Sequence, residues 1–284
     1  MKTLNSEIKP IQIDVSKNDR RSTSTSSKGN QTKWFKDGKW IKVDYMGYEG
    51  LSEVLATYIA EHTNIVDFAP ITKYYLCTGI AEGRNYVGCY SNNFLADGEE
   101  CVTVQRLLAF KKGRYINKQL EEMSTQTRIK TVVDFVIEET SISNFGEWLT
   151  ALLEFDGLIL NEDRHLHNVA VIRITDGTYK LMPLFDNGAA FLSDVLRDFP
   201  MSKSVNQCIR SVKAKPFSTS FSRQVKAAQE LYGSQLSLRL SGEDITDGFL
   251  DGISEYSQEI KQRVLVVLRR QIGDWHGKTT NDIN

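Results

Sequence analysis

Strand-like and helix-like patterns occupy different parts of this 284-residue chain, and the change of character near residue 105 restricts the fold more than any other feature. Ahead of it, "KWFKDGKWIKVDY" has two short aromatic and β-branched runs around Asp37-Gly38, a strong hairpin signal that puts Lys42 on the second strand. "KYYLCTGI", "RNYVGCYS" and "ECVTVQRL" read as further strands separated by glycine-containing turns. One helix lies among them: in "GLSEVLATYIAEH", Leu51, Val54, Leu55, Tyr58 and Ile59 recur at helical spacing, with Glu53 flanking that face. After residue 105 helical patterns dominate, in "KTVVDFVIEET", in "FGEWLTALLEFDGLIL" and in "EIKQRVLVVLRRQIGDW". Strands first and helices afterwards predict an α+β chain with a small β-rich lobe and a mainly helical one.

The boundaries expected are a flexible segment over 1–21, an N-terminal lobe over 22–97 and a C-terminal lobe over 98–284, with a hinge near "CYSNNFL". Residues 1–33 are polar and Ser/Thr-rich, and "STSTSS" at 22–27 followed by "KGNQTK" has too little apolar content to pack, so a flexible loop or tail is expected. The balance of 35 basic against 36 acidic residues gives no global electrostatic reason to bind nucleic acid or an anionic membrane. No apolar run approaches the roughly 18 residues of a membrane span, and the amino terminus lacks the apolar core of a signal peptide. A cytoplasmic protein is expected. Cys77, Cys89, Cys101 and Cys208 form no CxxC pair, so neither a disulfide framework nor a zinc site is expected from them.

Chemistry concentrates in "NEDRHLHN", residues 161–168, directly after the apolar "LTALLEFDGLIL". The next segment, "VAVIRITDGTYKLMPLF", reads as a hairpin around Asp176-Gly177 and delivers the chain to Asp186-Asn187-Gly188. Folding back brings Asp163, Asn168 and Asp186 toward one end of the hairpin. Two carboxylates and an amide oxygen are hard donors that suit Mg²⁺, an ion usually completed by substrate phosphates, so a nucleotide is implied. The order Asp-x4-Asn, hairpin, Asp-x-Gly is that of a phosphoryl-transfer site. Such a site also needs a cation on the phosphates, a carboxylate to hold it and a backbone cover. Lys42, Glu53 and the segment around Gly29 are the candidates, in that fold's chain order.

Taken together, "SSKGNQTKWF", "WIKVD…SEVLATYIAE", "GCYSNNFL", "LNEDRHLHNVAVI" and "LMPLFDNG" resemble the HipA-type serine/threonine kinases, including their short CtkA-like members. The resemblance runs from about residue 22 to 275 and is strongest over 155–190. It implies a two-lobed protein-kinase-like fold, ATP and Mg²⁺ as cofactors, and a protein substrate with a Ser or Thr acceptor. It further implies Asp163 as catalytic base, Asn168 and Asp186 as Mg²⁺ ligands, Lys42 as the phosphate-binding lysine and Glu53 as its helix partner. Ser26, Gly29, Gln31 and Lys33 match the family's phosphate loop, S-x-x-G-x-Q-x-K, whose serine is autophosphorylated to switch the enzyme off. Ser26 is the first choice for that site, with Ser27 and Ser24 beside it. A toxin-like role with a small antitoxin partner is implied in the same way. Here the loop has one glycine, and the segment ahead of it is short compared with the amino-terminal subdomain of full-length HipA-type toxins.

Other readings stand beside these. His165 and His167 are spaced to share a zinc ion, or His165 braces the loop by hydrogen bonds. The aspartates could cap turns, Lys42 could face solvent, and Glu49 and Glu61 compete with Glu53. "KAKPFSTSFSRQ", residues 213–224, is a basic Ser-rich loop that could contact an acidic protein substrate or lie idle on the surface. A lipid or small-molecule kinase would use the same metal clamp, as similar DRHxxN…DFG motifs do in phosphatidylinositol kinases. A nucleotide-binding pseudokinase would lack one of Lys42, Asp163, Asn168 or Asp186, and all four are present.

Overall fold

The computed structural model describes residues 10–21, 32–113 and 116–281. Its first half is a six-stranded sheet built from β1 (Ile11–Gln12), β2 (Arg20–Arg21), β3 (Lys33–Lys36), β4 (Lys39–Val43), β5 (Tyr74–Ala81) and β6 (Arg84–Asn92). Their spatial order is β1-β5-β6-β4-β3-β2. The β3–β4 hairpin closes through Asp37 and Gly38, both at positive φ, the two-residue turn whose twist matches that of the strands. Its register places Lys33 directly opposite Lys42. Cross-strand partners project from the same face of a sheet, so two ammonium groups are brought side by side and require an anion between them.

Residues 10–21 differ from the flexible segment expected there. β1 adds parallel to β5, and β2 adds antiparallel to β3. Few apolar side chains are needed, because the order comes from sheet-edge pairing: Ile13 and Val15 donate to the Thr78 and Ile80 carbonyls, and Val15 is buried with Trp34, Ile41, Cys77 and Tyr86. Composition reports side-chain burial and is blind to this kind of backbone bonding.

Helix α1 (Glu49–Glu61) crosses the sheet and buries Leu51, Val54, Leu55 and Ile59. It lies close to the sheet, since a Cβ on Gly50 would come within 2.7 Å of the Gly88 backbone on β6, while a Cβ on Gly88 would meet the Lys42 carbonyl oxygen of the neighbouring strand at 2.1 Å. The absence of a side chain at Gly50 permits this approach, which brings Glu53 within reach of β4.

The chain then enters a second sheet, β7 (Glu100–Thr103), β8 (Ala170–Arg173) and β9 (Tyr179–Leu181), ordered β7-β8-β9. The expected strand "ECVTVQRL" ends at Thr103, whose hydroxyl accepts the Arg106 N–H and caps α2 (Val104–Lys112). Local capping overrides the strand propensity of Val104. Helices α3 (Ile116–Glu121), α4 (Thr125–Thr140), α5 (Phe145–Ile159), α6 (Val205–Ser211), α7 (Phe221–Tyr232) and α8 (Gln258–Asn281) make up most of the remainder. Residues 182–204 and 233–257 hold no α-helix, only a single 3-10 turn at Gly242–Asp244, so the carboxy-terminal part is less helical than its apolar spacing predicts. α5 is apolar almost all round and runs through the main core, with Phe145, Leu149, Leu152, Phe155 and Ile159 all buried. No helix among the described residues is long and apolar enough to cross a membrane.

Candidate active site

β4, α1 and the residues after β9 meet at Lys42. Its Nζ lies 2.5 Å from Glu53 Oε1 and 2.6 Å from Asp186 Oδ1, with the ring of buried Tyr74 4.9 Å away. Lys33, opposite Lys42 on β3, places its own Nζ 3.5 Å from Asp186 Oδ2. Asp186 is thus the anion that the paired lysines require. Burial opposes the charge on Lys42, but Asp186 and Glu53 outweigh it and hold the ammonium well above its ordinary range. Burial would likewise raise the Asp186 carboxyl, and Lys33 and Lys42 together hold it far below the carboxylate range. Lys33 is shifted down, by burial first and by the repulsion of Lys42, with Asp186 opposing.

Asp186 adopts φ 60°, the left-handed region that non-glycine residues rarely occupy. Asn187 then donates its backbone N–H to Glu53 Oε2 at 2.9 Å. One carboxylate therefore holds both the cation and the turn that presents the cation's other partner.

The polar octapeptide begins where α5 ends on Leu160, itself left-handed at φ 57°. Its organising residue is Arg164, fully buried. Arg164 donates to both oxygens of Asp156 in α5 at 2.8 and 3.0 Å, to the carbonyls of Asn168 and Phe185 at 3.1 and 2.9 Å, and to Asn187 Oδ1 at 2.6 Å. The guanidinium fork ties the octapeptide to the Asp186 turn across the β8–β9 hairpin. Burial raises the Asp156 carboxyl above its usual range, with Arg164 acting against the shift.

Within the loop, Asn168 donates Nδ2 to the Asp163 carbonyl at 3.0 Å, which leaves its amide oxygen as the group suited to a cation. Asn168 N–H donates to the His165 carbonyl, and His165 N–H to the Asp163 carbonyl. The bracing expected of His165 thus runs through its backbone. Its ring sits edge-on to that of His167, with Nε2 3.7 Å from Asp163 Oδ2. Burial lowers both histidines, keeping the neutral imidazole favoured in each. Lys215, from the loop before α7, donates to Asp163 Oδ1 at 2.8 Å.

Lys42, Glu53, Lys33 and Asp186 therefore form one cluster, and Asp163, Asn168 and His165 form a loop that Arg164 fastens to it. Ser24, Ser26, Ser27, Gly29 and Gln31 lie outside the described residues. Asp156, Arg164 and Asn187 were not among the sequence candidates, and Lys215 was covered only as part of the basic segment 213–224, with no link to Asp163. A carboxylate inside the apolar "LLEFDGLIL" was the available signal for Asp156, since a buried charge needs a partner. Among the described residues no three His, Cys, Asp or Glu side chains are grouped to hold a metal; Asp186 and Asn168 offer one carboxylate and one amide oxygen.

No protein-family model and no curated protein matches the sequence. Among solved structures, the chain is similar to the Helicobacter pylori proinflammatory kinase CtkA, at 16% identity and a TM-score of 0.60, over 93% of this chain and 94% of that one. That likeness spans both halves. The chain has a two-lobed protein-kinase-like fold, with a small β-rich N-terminal lobe and a mainly helical C-terminal lobe.

Proposed function

We propose that this chain is an ATP-dependent kinase that phosphorylates serine or threonine hydroxyls of a protein substrate, in the manner of the HipA-like enzymes. The observation that supports it best is the meeting of Lys42, Glu53 and Asp186, from three separate segments, beside a loop that presents Asp163 and Asn168. The likeness in fold to a kinase supports phosphoryl transfer as the reaction class.

In this reading Lys42 and Lys33 hold the nucleotide phosphates, and Glu53 keeps Lys42 aimed at them. The donor set of Asp186 and Asn168 fits Mg²⁺, a hard cation that takes few protein ligands and is completed by phosphates. When bound, Mg²⁺ supplies neutralisation of phosphate charge. Asp163 orients the acceptor hydroxyl and takes its proton. The work of the site is positioning and charge compensation, so no covalent enzyme intermediate is needed.

The serines of 22–27 are proposed as the autophosphorylation site, with Ser26 first, and a small antitoxin as a protein partner. The test is transfer of labelled γ-phosphate by the wild-type chain and by Asp163→Asn, with a generic protein, phosphatidylinositol vesicles and the chain itself as acceptors. Protein or self-labelling abolished by Asp163→Asn supports the reading. Labelling of lipid alone, or equal labelling by both chains, overturns it.

A further inference from the structure

Besides Glu53 and Asp186, Lys42 has a neighbour of a different kind. Its ammonium stands 4.9 Å from the centroid of the Tyr74 ring, within the roughly 6 Å over which an aromatic face attracts a cation. The register of the sheet puts the ring there. On β6, Ser91 pairs with Trp40 of β4 and with Tyr74 of β5, while Cys89 pairs with Lys42 and with Leu76. Tyr74 therefore lies one row along from Lys42 and on the same face. Both residues are buried, at 5% and 6% exposure, so little water screens the contact. Tyr74 is also tied to the helix that carries Glu53: the Thr57 hydroxyl donates to the Glu53 carbonyl at 3.0 Å and accepts the Tyr74 backbone N–H at 3.2 Å. One turn of α1 thus sets both the carboxylate that holds the ammonium and, through Thr57, the ring beside it.

We propose that Tyr74 is a positioning residue for Lys42, its ring face holding the ammonium in place while the lysine changes anionic partner. This rests on the kinase reading above. In the structure the ammonium is shared between Glu53 and Asp186. When nucleotide phosphates come to Lys42, Asp186 has to yield its place to them. A buried ammonium left with Glu53 alone during that exchange is poorly compensated and is drawn back toward the carboxylate. An aromatic face stabilises the cation without occupying any of its three N–H donors, so the ring supports Lys42 in both arrangements and leaves a donor for phosphate. Lys42 keeps its proton throughout.

The γ-phosphate transfer assay tests it, run with Tyr74→Phe, with Tyr74→Leu, and with phenylalanines of increasing fluorine content incorporated at position 74. Fluorine withdraws the negative face of the ring stepwise at nearly constant shape. Tyr74→Phe keeps that face and is expected to retain most of the activity. Tyr74→Leu keeps apolar bulk without the face and is expected to lower kcat/KM for ATP by roughly 10- to 30-fold, the scale of a cation–π contact between desolvated groups. The fluorinated chains should fall steadily between these limits with the melting midpoint unchanged. In a Lys42→Met background, calorimetry should find ATP affinity indifferent to Tyr74→Leu, because the ring acts through the lysine. Should Tyr74→Leu fold poorly, the fluorinated chains, which keep the ring's shape, decide alone. Equal activity across the fluorinated series overturns the proposal, and so does a loss of ATP affinity from Tyr74→Leu that persists in the Lys42→Met background, which would make the ring a packing element of the cleft. A wild-type chain that transfers no phosphate overturns the kinase reading, and this inference with it.

Discussion

Glu53 reaches Asn187 directly: its Oε2 accepts the Asn187 backbone N–H at 2.9 Å, joining positions 134 residues apart. Because Oε1 holds Lys42, any displacement of α1 disturbs the ammonium and the Asp186 turn together. Glu53→Ala leaves a buried lysine with only Asp186, and breaking a buried pair on one side costs about 3–5 kcal/mol. Glu53→Gln is expected to keep the hydrogen bond to Asn187 and lose the charge. Chemical denaturation should therefore rank wild type above Gln above Ala, with γ-phosphate transfer strongly reduced in both variants. A Gln variant as active as wild type would show that the charge of Glu53 is dispensable.

Asp186→Asn removes the anion between Lys33 and Lys42 while preserving shape. Transfer is expected to fall by at least about 10²–10³-fold, the scale on which single charge-organising groups act in such sites. Calorimetric titration with ATP and increasing Mg²⁺ should show Mg²⁺ strengthening nucleotide binding in wild type and losing that effect in the variant. Equal Mg²⁺ dependence in both would exclude Asp186 as a ligand.

Arg164 is among the largest fully buried side chains of the described residues, and it joins α5, the polar loop and the Asp186 turn through five hydrogen bonds. Arg164→Met strands the Asp156 carboxylate in the core and is expected to cost about 3–5 kcal/mol, whereas Arg164→Met combined with Asp156→Leu removes both charges and should regain much of that loss. Activity should not return with stability, because the contacts to Asn168, Phe185 and Asn187 are gone. Parallel urea melts and transfer assays separate the two effects.

The contrast between Lys42 and Arg164 shows what could be read in the sequence. Lys42 was legible as a residue of the second strand of a hairpin that Asp37-Gly38 fixes, but its alternation with Ile41 and Val43 pointed it to solvent, and it is buried because Glu53 of α1 and Asp186 close over it. Helix α1 and α5 were legible because their apolar faces repeat at helical spacing. Arg164 lies in a loop of eight mixed polar residues, where no periodicity says which side chain turns inward; only its buried partner, Asp156, hinted at it. Lys215 comes 52 residues after Asp163, on a loop whose approach is decided by the packing of α4 and α7 around it. Strands β1 and β2 escaped notice for a different reason, since each is two residues long and held by backbone pairing.

Asp44 links β4 to the carboxy-terminal part, accepting the Gly50 N–H at 2.6 Å and the Tyr256 hydroxyl at 2.8 Å. Burial, aided by the nearby Glu49 carboxylate, pushes its carboxyl from 3.8 up to about 8. A folded-state value above the unfolded one means that the native chain holds the proton longer. The resulting stabilisation is complete below about pH 4 and is lost as pH rises toward 8, at on the order of 1 kcal/mol per pH unit. Asp44→Asn removes this titration and keeps an acceptor for Gly50. The stability difference, variant minus wild type, should therefore grow between pH 4 and 8; a constant difference would contradict the assignment.

Beyond Gly188, the chain is strained at two successive residues, Phe191 at φ 54° and Leu192 at φ 65°. Side chains of this size in the left-handed region cost of order 1–3 kcal/mol each and persist only where their surroundings hold them. Tyr48, fully buried at the start of α1, shares its hydroxyl between the Phe191 and Leu192 carbonyls at 2.7 and 3.0 Å. Ser52 adds a hydrogen bond to the Ala190 carbonyl, and Val195 N–H reaches the Met46 carbonyl. The segment that follows the metal-binding candidate is thereby clamped to the helix that carries Glu53. Tyr48→Phe removes only the hydroxyl, leaving two buried carbonyls without this donor, and should cost about 1–3 kcal/mol. The loss is expected to be local first: hydrogen exchange should quicken at Ser193 and Val195 more than in α5, and transfer should weaken as Asn187 loosens from Glu53. Uniform exchange across the chain, or unchanged activity with a mobile 190–195 segment, would show that the clamp stabilises the fold without serving the site.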